Sequence, residues 1–168
     1  MSKKFYITTP IYYVNDVPHI GHAYTTVAAD CLARWHRALG DEVFFLTGTD
    51  EHGAKIAEKA REMKIEPKQY ADEISAKFKQ AWNELNISND NIILTTDEKH
   101  IKAVQTALQF MYDQGDIYLG RYEGFYCRGC EQYKSERDLV NGSCPDHKAP
   151  PEKMSEECYT FNLSKYQD

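Results

Sequence analysis

Between Phe5 and Leu94, short apolar runs alternate with segments whose apolar residues recur every three or four positions, and no other feature restricts the fold as strongly. The runs Phe5–Ile11, Val43–Leu46 and Ile92–Leu94 suit buried strands, the first stopping where Pro10 withholds an N–H. From Ile20 to Leu39, Val27, Cys31 and Trp35 fall four apart, flanked by Ala28 and Leu32, which makes one apolar helix face; Gly40 fits the position just past the helix end. Ile56, Ala57, Ala60 and Met63 predict a second helix. Pro67 fits the first turn of a third, whose face carries Tyr70, Ile74, Phe78, Trp82 and Leu85. Thr95 with Glu98 reads as a capping box for a fourth, carrying Ile101, Val104, Leu108 and Met111 and ending near Gly115. Strand and helix in alternation predict an α/β fold on a doubly wound, mostly parallel sheet.

From Ile117 the chain turns to short aromatic β segments, glycines and clustered cysteines, with Lys148–Pro151 as a turn before a last strand, Tyr159–Leu163. The expected division is therefore residues 1–115 and residues 116–168, and 168 residues suit one domain with a small appendage. With 42% hydrophobic and 27% charged residues the chain reads as folded. Its net charge of -6 argues against non-specific coating of nucleic acid, which needs a basic face to displace counterions. The opening Met-Ser-Lys-Lys and the run after it imitate a signal peptide, but Thr8, Thr9, Pro10, Asn15 and Asp16 interrupt the apolar stretch, and no segment has the length to cross a bilayer. A cytoplasmic protein without membrane contact is expected.

Two constellations carry chemistry. His19-Ile20-Gly21-His22 lies between the first strand and the first helix, where unpaired backbone N–H groups and the positive end of the dipole favour phosphate, and Gly21 lets a ligand approach the backbone. Thr47-Gly48-Thr49-Asp50-Glu51-His52-Gly53 reads as a polar loop at the C-terminal end of the second strand, the edge where open α/β sheets bind ligands. The second constellation is Cys127-x-x-Cys130 with Cys144-x-x-His147. Three thiolates and an imidazole make a closed tetrahedral zinc set, so the zinc is expected to be structural. Of the remaining cysteines, Cys31 lies on the apolar helix stripe and reads as core, and Cys158 has no evident partner.

The run Thr9-Pro10-Ile11-Tyr12-Tyr13-Val14-Asn15 leading into Pro18-His19-Ile20-Gly21-His22-Ala23-Tyr24, together with Thr47 to Gly53, resembles methionyl-tRNA synthetases, class I enzymes with a His-x-Gly-His signature. The resemblance runs through the whole chain. It implies the first half of a Rossmann-like catalytic fold followed by the family's connective insertion with its zinc knuckle. It also implies ATP-dependent activation of methionine, with Mg2+ accompanying the ATP, and transfer of the methionyl group to tRNA(Met). On that resemblance His19 and His22 hydrogen-bond the ATP phosphates, Gly21 admits the adenine, Asp50 binds the α-ammonium group, and Pro10, Ile11 and Tyr13 wall the side-chain pocket. Lys153-Met154-Ser155 is similar to the start of the family's lysine loop but continues into Glu156-Glu157, and reads as a surface turn. The second half of the sheet, the lysine loop and the anticodon-binding helices are expected to lie outside these residues. The chain alone is then expected to be inactive and, with apolar faces uncovered, to self-associate. Two rival readings remain: a free-standing zinc module that binds RNA or protein, and another class I synthetase or nucleotidyl transferase.

Overall fold

The computed structural model describes residues 2–130 and 132–167. The chain divides into two compact units, Met1–Val104 and Gln105–Asp168, and the division falls inside a helix.

In the first unit, β1 (Lys4–Tyr13), β2 (Glu42–Asp50) and β3 (Asn91–Leu94) form a parallel sheet in the order β1-β2-β3. Helix α1 (Ile20–Ala38) connects the first pair, and α2 (Ala54–Met63) with α3 (Pro67–Glu84) connects the second. Parallel neighbours demand such crossovers, and an order that advances in one direction returns each of them on the same side. Val43 and Phe45 pack with Ala29 and Ala33 of α1, while Thr49, on the same face of β2, meets Ser75 of α3. The other face carries Tyr6 and Phe44, 62% and 46% exposed. Among the described residues of the first unit, the sheet's helices thus cover one side, where alternation alone predicted winding on both.

Strand β1 does not stop at Pro10. Its register runs Thr8↔Leu46 and resumes at Ile11↔Gly48, so Thr9 and Pro10 together oppose Thr47 in a bulge. A bulge on a sheet-edge strand is where a residue without an N–H is tolerated, and it lets the strand continue to Tyr13. Likewise Thr47 to Asp50, expected as loop, are the last four residues of β2, their β-branched threonines buried between neighbouring strands.

The core gathers Tyr12, Val14, Ile56, Ala60, Tyr70, Ala71, Ile74, Phe78 and Trp82. Truncating a buried Phe or Trp of this kind costs about 3–5 kcal/mol, so the stripe on α3 is its main anchor; Leu85, past the helix end, is 47% exposed. Helix α1 reverses the expectation from its periodicity. It buries Thr26, Ala29, Asp30 and Ala33, whereas Val27, Cys31 and Trp35 are exposed. Small side chains let the helix lie close on β2, and Asp30 is accommodated because it accepts bonds from the Ser88 N–H and hydroxyl and from Arg34.

Helix α4 (Glu98–Asp113) buries none of its residues. Thr95 does not cap it: its hydroxyl accepts the Glu51 N–H, and the helix opens with Ile101 N bonded to Asp97 O. In the second unit β4 (Ile117–Cys127) pairs antiparallel with β5 (Gln132–Lys134) and with β6 (Glu152–Phe161). The β4–β6 ladder is unbroken from Ile117↔Phe161 to Tyr126↔Glu152, so Lys153, Met154 and Ser155 are strand residues rather than a surface turn. Cross-strand pairing satisfies the backbone groups that a turn would leave to solvent. Buried Asp116 accepts from Lys165 Nζ at 2.5 Å and from the Tyr166 hydroxyl, fastening the segment after β6 to the start of β4.

Candidate functional site

The carboxyl ends of β1 and β2 bring the first constellation together. His19 is the N-cap of α1: its Nδ1 accepts the Gly21 N–H at 3.0 Å, and the His19 N–H donates to Nδ1 of His22 at 3.2 Å. The two rings stack with centroids 3.8 Å apart. A Cβ on Gly21 would lie 2.9 Å from the His19 ring, so the absence of a side chain there is a condition of the cap. With both Nδ1 atoms accepting, the proton of each neutral imidazole resides on Nε2, which makes two donors side by side at the positive end of a helix. Burial against Tyr12 and Phe78, and next the charge of His19, lower the His22 pKa, which keeps that ring neutral near pH 7. Tyr12 supports the turn from below, its hydroxyl 2.7 Å from that of Thr26, which in turn donates to the His22 carbonyl.

Across the sheet, Tyr12↔Thr49 faces the helices, and the adjacent register pairs are Ile11↔Gly48 and Tyr13↔Asp50. Gly48 has no room for a side chain, since an added Cβ would stand 3.1 Å from Ile11 and closer still to the Ile93 carbonyl. Asp50 is half-buried at the strand end and accepts from His52 N at 3.4 Å. The Tyr13 hydroxyl sits where a side chain on Gly53 would go, and Gly53, at φ 119°, occupies backbone space that suits glycine. Pro10 and Ile11 are exposed. Beside Asp50, Glu51 is buried, with Ser75, Thr49 and Thr96 hydroxyls donating to its carboxylate.

In the second unit, Cys127 ends β4, Cys130 follows in the turn, and Cys144 and His147 come from the segment before β6. Their four ligand atoms lie within 4.8 Å of one another, with Cys130 Sγ 3.5 Å from Cys144 Sγ and 3.3 Å from His147 Nδ1. These sulfurs are too far apart for a disulfide and spaced as ligands around one tetrahedral cation. The His147 ring lies over Gly129, where a Cβ would collide with it. Bonds from the backbone and ring of His147 draw the Cys144 thiol down to about 6, whereas desolvation and the neighbouring sulfurs push Cys130 up to about 11. A bound cation resolves that conflict by favouring thiolate at all three.

Residues 5–165 match the family described as tRNA synthetases class I (M). The methionine–tRNA ligase of Clostridium perfringens is 56% identical over 99% of this chain, which covers 26% of that protein; that of Thermotoga maritima is 50% identical over 98%, covering 27%. The chain belongs to the class I methionyl-tRNA synthetase family. The structure of the Mycobacterium tuberculosis methionyl-tRNA synthetase in complex with methionyl-adenylate superposes with a TM-score of 0.86 at 39% identity, over 98% of this chain and 33% of that one. The chain thus spans about a quarter to a third of the length of the synthetases it matches.

In this chain, His19, Gly21 and His22 form one cluster, Pro10, Ile11, Tyr13 and Asp50 lie at the ends of two adjacent strands, and Cys127, Cys130, Cys144 and His147 form another cluster in the second unit. Cys31, expected in the core, is exposed; Cys158 stands opposite Gly120 in the β4–β6 ladder. Three contributors escaped the sequence reading. Glu51 looks like a solvated loop carboxylate but is buried, Ser75 looks like a polar residue on an amphipathic helix but faces Glu51, and Tyr12 was absorbed into an aromatic run. Only the alternation Thr49, Glu51 on one side of a strand end offered a signal for the first. Among the described residues no helix is long and apolar enough to cross a membrane.

Proposed function

We propose that the complete polypeptide carrying this sequence is a cytoplasmic methionine–tRNA ligase that activates methionine with ATP and transfers it to tRNA(Met). The observation that carries this reading is the placement of a donor pair, His19 and His22, and an acceptor, Asp50, at the carboxyl ends of neighbouring parallel strands, where open α/β sheets bind nucleotides and their co-substrates. The family's structure with methionyl-adenylate in the M. tuberculosis relative supports it.

In this reading Asp50 pairs with the substrate's α-ammonium group, and Pro10, Ile11 and Tyr13 wall the thioether side chain, which an apolar and aromatic surface suits. A methionine carboxylate oxygen attacks the α-phosphorus of Mg2+-bound ATP, the bond to the β-phosphate oxygen breaks, and pyrophosphate leaves. The Nε2–H groups of His19 and His22 donate to phosphate oxygens as charge develops, and the backbone at Gly21 lets adenine lie close. No nucleophile is required of the protein; positioning and electrostatic stabilisation supply the rate. Cys127, Cys130, Cys144 and His147 hold a structural zinc, which would lend the second unit its local stability. Residues 1–115 are then the first half of the catalytic domain and residues 116–168 part of an insertion. The isolated 168 residues carry one side of such a site and are expected to be inactive in methionine-dependent exchange of pyrophosphate into ATP.

Single-turnover kinetics on the complete polypeptide test the roles. His22→Ala is expected to slow adenylate formation by about 10²–10³ while changing methionine affinity little, because its bonds strengthen only in the transition state. Asp50→Ala is expected to weaken methionine binding directly. The reverse pattern would overturn the assignment.

A further inference from the structure

Asp50 stands between two residues that are locked. Thr49 is 2% exposed and Glu51 4% exposed. Thr49 Oγ1 donates to Glu51 Oε1 at 3.2 Å, so both side chains lie on the helix side of the strand end. Ser75 of α3 donates to the same oxygen at 2.5 Å, and Thr96, just past β3, donates to the other. The Glu51 backbone is fixed as well, its N–H donating to Thr95 Oγ1 at 2.9 Å, while Thr95 N donates to the Thr49 carbonyl at 3.2 Å. One carboxylate therefore ties together the end of β2, α3 and the segment after β3.

Burying a carboxylate costs several kcal/mol unless hydrogen bonds replace its water, and hydroxyls aimed at both oxygens provide that replacement. Simple packing at this position would be met by an apolar residue. A gripped carboxylate adds direction, because each oxygen is held from a different element. In an extended chain neighbouring side chains alternate between faces; clamping Thr49 and Glu51 to the helix side sends Asp50 to the other, the side of Ile11 in the register Ile11↔Gly48, Tyr13↔Asp50.

We infer that Glu51 is a positioning residue for amino-acid recognition: held by Ser75, Thr96 and Thr49, it fixes the strand end so that the Asp50 carboxylate meets the substrate's α-ammonium group. This rests on the reading of Asp50 given above. It acts through Asp50 and does not itself touch the amino acid.

The test is a double-mutant cycle on the complete polypeptide, with L-methionine as the titrant and calorimetry as the readout. Glu51→Ala is expected to weaken methionine binding by about tenfold to a hundredfold, the range a misplacement on the order of 1 Å produces. Glu51→Gln, which keeps the shape, one acceptor oxygen and an amide that Thr96 can accept from, is expected to recover affinity to within about threefold of the parent. In an Asp50→Ala background, Glu51→Ala is expected to cost less than about twofold, since its route to the ligand is already gone. A role confined to stability would lower the melting temperature and leave the cycle additive, with the same loss in both backgrounds; that result overturns the inference. Should Glu51→Ala not fold, Thr96→Val and Ser75→Ala, which each remove one grip, enter the same cycle and are read by the same two outcomes. If Asp50→Ala leaves methionine affinity unchanged, the reading of the site itself fails; if Asp50→Ala weakens binding and Glu51 does not couple to it, the inference alone falls.

Discussion

His22 uses Nδ1 to accept the His19 N–H, and that bond exists only while the nitrogen is unprotonated. Protonation would turn an acceptor into a donor facing a donor and open the first turn of α1. Burial, followed by the neighbouring His19 charge, sets the His22 pKa below its ordinary 6.5. A folded pKa below the unfolded one means that the unfolded chain binds more protons between the two, so stability rises with pH across that window and is lost as pH falls from about 6.5 toward the lower folded value. The melting temperature is expected to fall between about pH 7.5 and pH 5.5, and to fall less in His22→Asn, whose amide oxygen can accept the His19 N–H without titrating in this range. Equal pH slopes in the two proteins would count against the cap as the sensor.

Among the elements, the β4–β6 ladder is the one that a metal held by Cys127, Cys130, Cys144 and His147 would support from outside its own backbone. Its strands carry many exposed side chains, Tyr118, Leu119, Tyr122 and Tyr159 among them, and neither strand buries a continuous apolar face. Apart from Asp116 at the start of β4, what is buried sits at the far end, in Cys127 and Cys144. A metal held there would close the segment between the Cys130 turn and β6, and metal binding and local folding would become one equilibrium. Cys130→Ser is expected to abolish bound zinc, measured by elemental analysis, and to raise amide exchange across residues 117–161 while leaving β1, β2 and α3 protected. Unchanged zinc content in that variant would refute the four-ligand assignment. Helix α1 behaves differently, because its Ala29 and Ala33 pack while its larger apolar residues face outward.

At the scale of the whole chain, the one-sided sheet leaves Tyr6 and Phe44 in ring contact at 5.9 Å on an exposed face, and β1 has β2 as its partner on one edge. Exposed apolar patches and an edge of unpaired backbone groups favour association. The purified 168-residue chain is expected to self-associate with rising concentration in sedimentation velocity, and Tyr6→Lys with Phe44→Glu to shift it toward monomer. A parent chain that stays monomeric at the highest attainable concentration would rule out that face as an interface.

The sequence by itself determined the strand and helix alternation, the helix stripe Tyr70, Ile74, Phe78 and Trp82, and the pairing of Cys127-x-x-Cys130 with Cys144-x-x-His147, because periodicity and ligand spacing are local properties of the chain. It carried the signature residues at His19, Gly21, His22 and Asp50 as well. Only the tertiary structure decided which face of α1 is buried, since close approach to β2 favours alanine over the larger residues that a hydrophobic pattern selects. The same holds for the bulge at Pro10, which depends on pairing with Leu46 and Gly48 across the sheet. Glu51 is the clearest case: its charge marks it for solvent, and it is buried because Ser75 and Thr96, 24 and 45 residues away, bring hydroxyls to it. Long-range hydrogen bonding of this kind leaves no periodic trace in the sequence, and it is what sets the direction of the carboxylate next door.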